Sequence, residues 1–322
     1  MAMNALKWVA LAMLAILGTM SSGAAQSPPP LTVITIATPG QDSNALAYFA
    51  QDMGFLKKHG IEAKFIAVHG SGPAIAAAVT GKSVDIGEGG VIDIAEARLH
   101  GVPLTLISPS YLYQAAAPAT ALIVAKSSTI KTAKDLNGKT IGEPSISGPA
   151  KVATYKWLQD NGADPDSVKF IELPQPSMAA AVERGTVDAA TINEPSLTPS
   201  LEENRIIGYP YSAIGKDVEL TTWFATEDWV ADHPALAAQF VAAMHEAALW
   251  ANTKSNWPKS GAIVAQYTGL PPETVAHMRR AAYGVMFDVS MMQPFLDAAN
   301  AQKSLSGHVD ARSMISKVAL VK

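Results

Sequence analysis

Small polar residues and glycines cluster in four short loops of this sequence: Gly40–Asn44, Gly70–Gly72, Glu88–Gly90 and Ser145–Gly148. Three of these loops directly precede segments with helical character. A helix N-terminus presents unpaired N–H groups and the positive end of the helix dipole, which favour an anion. Serine and glycine also let a bound group approach the backbone closely. The loops therefore predict non-covalent binding of a sulfonate, carboxylate or phosphate; the alternative is that they only cap helices.

A second set of candidate side chains lies outside those loops. Glu194 ends a predicted strand, where its carboxylate either holds a ligand amine or caps the helix that begins at Pro195. Tyr111 and Trp223 offer aromatic faces to a flat or apolar ligand body, with Thr222 as a donor beside them, although aromatic side chains also fill cores. The predicted ligand-binding residues are Gln41, Ser43, Asn44, Ser71, Gly72, Gly89, Gly90, Tyr111, Ser145, Ser147, Gly148, Asn193, Glu194, Thr222 and Trp223.

Residue patterns for covalent or metal chemistry are missing from the sequence. It contains no Cys, which removes thiolate nucleophiles, disulfides and Cys-ligated metals, and its seven His residues are scattered without ligand spacing. His245-Glu246 begins a zinc-protease pattern, but Leu249 stands in place of the second His. No nucleophile elbow, Walker loop or dinucleotide fingerprint is found. We therefore predict no catalytic residue, no metal and no cofactor.

The N-terminus has the composition of a secretion signal. Lys7 is the only charge before the apolar run 8–17, and small residues follow at 23–25. The run is shorter than the roughly 20 residues that span a bilayer, and the alternative is a buried N-terminal helix. We predict a signal peptide over residues 1–25 and a mature protein free in the periplasm. Without Cys it is no lipoprotein, and it does not insert into the membrane after cleavage.

The charge balance limits the partners of the mature chain. With 24 Lys and Arg against 28 Asp and Glu, the formal net charge is −4, and no basic run is present. Nucleic-acid binding needs clustered positive charge, so we predict no nucleic-acid partner. The chain is expected to be a globular monomer that binds a small molecule.

Predicted strands and helices alternate along the first third of the chain. β-branched and aliphatic runs predict strands over 31–37, 61–68 and 84–87, with helices over 45–57 and 91–99 between and after them. Such alternation is typical of βαβ units on a mainly parallel sheet. The predicted fold class is therefore α/β.

The alternation restarts after about residue 120, and the last third is predicted to be mostly helical. Ala76–Val79 followed by Val84-Asp85 recurs as Ala179–Val182 followed by Val187-Asp188, with the same spacing in both copies. This echo indicates two lobes built alike. A cleft between two α/β lobes is a natural small-molecule site, since ligands lie at the carboxyl ends of strands.

Five motifs resemble the nitrate/sulfonate/taurine and thiamin-precursor group of solute-binding proteins, that is, the NMT1-like and SsuA/TauA-like families of ABC importers. They occur in the family's order between about residues 31 and 230. The motifs are Phe49-Ala50 with Gly54–Ile61, Val79 with Gly81 and Val84–Gly87, Lys134–Gly142, Val182 with Gly185–Ala190, and Glu194-Pro195.

The resemblance implies a type II periplasmic-binding fold, with two βαβ lobes that close on a ligand in the cleft between them. One lobe is then expected to contain 31–109 plus 221–322, and the other 110–220. The family commonly has a hydroxyl residue where Gly90 stands, so one donor for a sulfonate is missing here.

The implied function is the substrate-binding component of an ABC transporter. Its partners would be the ABC permease and the associated ATPase. Its ligand would be a small organic anion, with or without an aromatic ring or an amine. The alternatives are a binding protein of a TRAP-type or sensory system, or an enzyme on the same fold.

Overall fold

Two mixed five-stranded sheets carry the fold, as found in a computed structural model. The structure describes residues 30–38, 42–67, 72–146 and 148–320. The predicted signal peptide, together with Gln41, Ser71 and Ser147, lies outside the described residues. Within the described ranges, no helix combines the length and apolarity needed to cross a membrane.

The strands are β1 (Thr32–Thr38), β2 (Ile61–Ala67), β3 (Ile86–Gly90), β4 (Leu104–Pro109), β5 (Tyr111–Gln114), β6 (Thr120–Ala125), β7 (Thr140–Glu143), β8 (Lys169–Glu172), β9 (Ala189–Asn193), β10 (Asn204–Gly208), β11 (Asp217–Glu219), β12 (Thr221–Thr226) and β13 (Ala282–Tyr283). The helices are α1 (Leu46–Asp52), α2 (Phe55–Lys58), α3 (Gly72–Thr80), α4 (Val91–Leu99), α5 (Pro149–Asp160), α6 (Gln175–Glu183), α7 (Leu197–Ser200), α8 (Glu227–Asp232), α9 (Pro234–Ala251), α10 (Trp257–Thr268), α11 (Pro272–His277), α12 (Val289–Ala301) and α13 (Ala311–Met314). Short 3-10 turns cover Asp42–Asn44, Ala133–Leu136, Pro165–Ser167, Pro210–Ala213, Lys254–Asn256 and Lys317–Leu320.

The two five-stranded sheets share one strand order. Sheet 1 runs β2-β1-β3-β12-β4, and sheet 2 runs β8-β7-β9-β6-β10. In each sheet four strands run in one direction, and the fourth in order, β12 in sheet 1 and β6 in sheet 2, runs antiparallel to both of its neighbours. The predicted α/β class is confirmed. A third sheet, β11-β5-β13, is built from the segments that pass between sheets 1 and 2 and from the C-terminal third.

The repeated Val-Asp sequence has the same structural role in both sheets. The Asp85 carboxylate accepts a hydrogen bond of 2.7 Å from the Thr35 amide, which ties the start of β3 to β1. The Asp188 carboxylate accepts one of 2.9 Å from the Thr140 amide, which ties β9 to β7. The sequence echo therefore marks equivalent strand junctions.

Three predictions of secondary structure need correction. The predicted helix 45–57 is two helices, because Gly54 has a φ of +76° and breaks the helix between α1 and α2. The strand predicted over 84–87 is β3, Ile86–Gly90, which continues to the glycines. The short strands β5, β11 and β13 were missed, since two to four residues carry too little alternation to be recognised.

Two hydrophobic clusters lie on the two faces of sheet 1, and two smaller ones pack against sheet 2. Phe49, Trp223 and Phe240 belong to the cluster under α1 and α9. Phe224 and Phe295 belong to the cluster on the other face, under α3, α4 and α12. Sheet 1 is therefore covered on both faces.

Candidate ligand-binding site

A cavity of about 270 Å³ lies where the parallel strands of both sheets end. Sheet 1 and the segments after its strands contribute Ser43, Asn44, Gly72, Glu88, Gly89, Gly90, Asp93 and Thr221. Sheet 2 and its loops contribute Thr120, Pro144, Ser145, Gly148, Pro149, Ala150, Gln175, Thr191 and Asn193, and Tyr111, Tyr211 and Leu220 complete the wall. The volume is near the lower end of the range for small-molecule pockets, about 300–1,000 Å³. The cavity therefore suits a small ligand.

Four helices begin at this cavity. Gly72 starts α3, Gly90 and Gly148 are the residues before α4 and α5, and Gln175 starts α6; all four line the wall. Two of these helices follow strands of sheet 1 and two follow strands of sheet 2. Positive helix-dipole ends thus converge from both sides, which favours an anionic ligand group, although at α4 the Gly90 N–H already donates to Asp93.

The structure brings together predicted residues from all four loops and from the end of β9. Those that line the cavity are Ser43, Asn44, Gly72, Gly89, Gly90, Tyr111, Ser145, Gly148 and Asn193. They are distant in sequence and meet because each follows or ends a strand whose carboxyl end points to the same edge.

Trp223 and Thr222 do not line the cavity. Trp223 is 0% exposed and packs edge-to-face on Phe240, with ring centroids 5.9 Å apart. Thr222 is equally buried. Both lie on β12, which is paired with β3 on one side and β4 on the other. The predicted stacking and donor roles are therefore corrected to core packing, and Thr221, one residue earlier, reaches the cavity instead.

Glu194 takes the capping arrangement rather than a position in the main cavity. Its carboxylate accepts hydrogen bonds from the Thr198 hydroxyl at 2.5 Å and the Thr198 amide at 3.1 Å, in the first turn of α7. A third bond, of 3.2 Å, comes from the Arg279 amide. The predicted contact with a ligand amine therefore does not follow from its position.

Glu88 is a site residue that the sequence analysis missed. It is 0% exposed, in the middle of β3, and accepts hydrogen bonds from the hydroxyls of Ser110 at 2.7 Å, Thr38 at 2.8 Å and Thr221 at 3.0 Å. Burial raises the pKa of the Glu88 carboxyl, and the hydroxyl donors together with the Asn44 side chain oppose that rise. The available signal was a charged residue inside an otherwise apolar strand.

Asp93 is the second carboxyl on the wall that was missed. It lies in the first turn of α4, and burial raises its pKa to about 6, against a hydrogen bond from the Gly90 backbone. A Cβ added at Gly90 would come within 2.7 Å of the Asp93 Oδ2 atom. The absence of a side chain at residue 90 therefore makes room for the Asp93 carboxylate.

Glu143 lies behind the wall of sheet 2. It is 0% exposed, and its Oε1 accepts a 2.9 Å hydrogen bond from Thr191, a cavity residue. Burial raises the pKa of the carboxyl to about 7, and Oε2 has no hydrogen-bond partner among the described residues. A buried carboxyl therefore lies at or next to the cavity in each sheet, Glu88 in sheet 1 and Glu143 in sheet 2.

The charged side chains on the wall are acidic. Glu88 and Asp93 line the cavity, and none of the described lining residues is Lys, Arg or His. The positive ends of the helix dipoles lie at the wall itself, and the Lys151 charge acts on Glu143 next to it. No group of three or more His, Cys, Asp or Glu residues in the described ranges has an arrangement that could hold a metal ion.

Solved structures of two periplasmic binding proteins share this fold. The aliphatic sulphonate binding protein SsuA from Escherichia coli matches with a TM-score of 0.72 at 21% identity, covering 91% of this chain and 99% of that one. The nitrate-binding protein NrtA from Synechocystis PCC 6803 matches with a TM-score of 0.75 at 15% identity, covering 91% and 88%. The predicted type II periplasmic-binding fold is confirmed.

Sequence comparison gives the family. Residues 42–255 match the model described as NMT1/THI5 like, so the chain belongs to the NMT1/THI5-like family. It is 28% identical over 172 residues to the taurine-binding periplasmic protein of Escherichia coli, covering 53% of this chain and 52% of that protein. The chain therefore spans about half the length of this relative. It is also 27% identical over 117 residues to the nitrate/nitrite binding protein NrtA of Synechococcus elongatus, covering 34% of this chain and 25% of that protein.

Proposed function

We propose that this protein is the periplasmic substrate-binding component of an ABC importer and captures a small organic anion, a sulfonate or carboxylate, in the cavity between sheets 1 and 2. The observation that carries the proposal is the convergence of four helix N-termini from both sheets on one cavity. The family and the names of the relatives, which are binding proteins for taurine and for nitrate and nitrite, support it.

The proposed mechanism is capture by closure of two lobes, 31–109 plus 221–322 and 110–220. A ligand that contacts both lobes binds the closed state more tightly than the open one and so shifts the population toward closure. The strands β5 and β11, which pair with each other in the segments between sheets 1 and 2, are the proposed hinge. The closed monomer would then be recognised by the permease, and the associated ATPase would drive transport.

Location and lack of catalysis belong to the same proposal. The signal predicted over 1–25 would deliver the chain to the periplasm, where such a carrier meets its transporter. No catalytic role is proposed, because the wall offers backbone amides, hydroxyls and carboxyls without a nucleophile–base pair that the sequence or geometry singles out.

Calorimetric titration of the purified mature protein tests the proposal. The ligands are taurine, ethanesulfonate, β-alanine, benzoate and nitrate, and saturable binding of at least one organic anion is expected. Asn193→Ala should weaken that binding, because Asn193 lines the cavity. Asn161→Ala, at the exposed end of α5, should not. A folded protein that binds none of these anions would contradict the proposal.

A further inference from the structure

The wall of the cavity carries two carboxyls without a cation beside them: Glu88 is fully buried and Asp93 is half-buried. Glu88 lies in the middle of β3 and Asp93 in the first turn of α4, which follows β3 directly, so both lie on one side of the cavity. Neither forms an ion pair among the described residues, in contrast to buried Asp42, which pairs with Arg280 at 2.9 Å. Burying a charge is costly unless it is paired and hydrogen-bonded. Binding of an anion at the helix N-termini does not explain why two unpaired carboxyls lie on the same wall.

The two carboxyls differ in how many hydrogen bonds they accept from the described residues. Glu88 accepts hydrogen bonds from three hydroxyls, at 2.7, 2.8 and 3.0 Å. For Asp93 the described residues supply one donor, the backbone N–H of Gly90. An ionised carboxylate has about four acceptor positions. Asp93 therefore keeps acceptor capacity on a side chain that faces the cavity.

The backbone around Asp93 is shaped to hold that carboxylate at the wall. A Cβ at Gly90 would come within 2.7 Å of Asp93 Oδ2, and one at Gly72 would collide with the same atom. Glycine at both positions leaves this space to the carboxylate. At the start of α4 the protein thus presents an acceptor rather than a further donor, which is the opposite of what a purely anionic ligand needs.

We propose that the ligand carries a protonated nitrogen and that Asp93 binds it, with Glu88 adding negative charge beside it. This inference rests on the proposed function and narrows its substrate class to amine-bearing anions. The anionic group would face the N-terminus of α5 at Gly148 and Pro149, which line the part of the cavity formed by sheet 2. A charge-assisted N–H···O bond to Asp93 is among the stronger polar contacts. An inorganic anion such as nitrate has no donor to make it.

Matched ligand pairs isolate the contribution of the nitrogen. Taurine is compared with ethanesulfonate, and β-alanine with propionate, by calorimetric titration of the mature wild-type protein. Within a pair, the amine-bearing member should bind about tenfold or more tightly, the scale of one hydrogen bond to a charged group. Asp93→Asn, which keeps the size and the acceptor toward Gly90, should remove most of that preference. Glu96→Gln is the control, since Glu96 lies one turn further along α4 and bonds to His100 and Ser306.

The outcomes separate this inference from the proposed function. If the wild-type protein binds ethanesulfonate or propionate as tightly as its amine-bearing partner, the protein binds anions but the role of Asp93 is wrong. An unchanged preference in Asp93→Asn, with the folded state verified by circular dichroism, would overturn it equally. If no member of either pair binds, the proposed function fails and the inference fails with it.

Discussion

Thr191 on β9 donates a hydrogen bond of 2.9 Å to Glu143 on β7, next to the cavity. In sheet 1, Thr38 on β1 donates one of 2.8 Å to Glu88 on β3. Each pair lies one residue beyond the last pair of residues in register on the equivalent strands. Both sheets therefore end at the cavity in a buried hydroxyl–carboxyl pair, with hydroxyl and carboxyl exchanged between the two strands.

The Thr191–Glu143 pair predicts a stability effect. Thr191→Val should lower the free energy of unfolding by about 1–3 kcal/mol, because it removes a donor from a buried carboxyl whose Oε2 already has no partner among the described residues. Urea denaturation at pH 7 measures the change. Thr32→Val, at an exposed position of β1, should stay within about 0.5 kcal/mol of the wild type. Equal losses of unfolding free energy in the two variants would show that the Thr191–Glu143 hydrogen bond does not stabilise the fold.

A pH dependence follows from Glu219. Burial raises the pKa of this carboxyl from 4.5 to about 8, assisted by the negative charge of Glu88 and opposed by a hydrogen bond from the Ser110 amide. Between these two pKa values the folded state holds more protons than the unfolded state, so the free energy of unfolding falls as pH rises from about 4.5 to about 8. The loss is complete above the folded pKa.

Glu219→Gln should flatten that decline, because glutamine stays neutral at every pH. The measurement is the free energy of unfolding from urea curves at intervals between pH 5 and pH 9. Part of the slope should remain, since burial also raises the pKa of Glu143, to about 7. Exposed Glu62→Gln should leave the slope as in the wild type. A slope unaltered by Glu219→Gln would mean that this carboxyl does not titrate as its burial implies.

Much of the fold was predictable because local signals and tertiary structure agree. The helix predicted over 91–99 is α4 with the same bounds, preceded by Gly90 and followed by Gly101, which has a φ of +81°. The repeated Val-Asp junction was visible as spacing alone. The four loops could be expected to meet, because the parallel strands of a βαβ unit end at one edge.

The chemistry of the cavity was less predictable, for physical reasons. An acidic residue in the first turn of a helix, such as Asp93, is commonplace because it offsets the helix dipole, so its sequence position gives no sign of a cavity. Trp223 was expected at the site because its aromatic face could stack on a flat or apolar ligand body. Only the pairing of β12 with strands on both sides shows that it is in the core. Burial and strand neighbours are long-range properties that one sequence does not specify.

The Asp42–Arg280 ion pair predicts that the loop after β1 depends on the C-terminal third. The Arg280 side chain is 8% exposed, and Asp42 also accepts a 2.9 Å hydrogen bond from the Ala281 amide. Arg280→Ala should lower the free energy of unfolding by about 3–5 kcal/mol, since it leaves a buried carboxylate without its cation. Ligand affinity should fall as well, because Ser43 and Asn44 follow directly and line the cavity.

Urea denaturation and calorimetric titration of Arg280→Ala measure the two effects. The matched control is Lys58→Ala, which breaks a 2.8 Å pair with Glu246 on the surface. An exposed pair contributes about 0–1 kcal/mol. If both variants lose the same small amount of unfolding free energy, the Asp42–Arg280 pair does not stabilise the loop after β1.

Gly90 gives the last prediction, because its missing side chain and the Asp93 carboxylate share one space. Gly90→Ala would place a Cβ 2.7 Å from Asp93 Oδ2, closer than real Cβ contacts allow, so the carboxylate must move. Affinity for the amine-bearing member of a ligand pair should fall about tenfold or more, equivalent to about 1.4 kcal/mol. Gly307→Ala, whose nearest neighbour is a flexible leucine end at 3.3 Å, should bind as the wild type does.

In an Asp93→Asn background the same Gly90→Ala change should cost clearly less affinity for the amine-bearing ligand, since two changes that act through one group are not additive. Additive losses in the double variant would mean that Gly90 acts on the ligand directly rather than through Asp93.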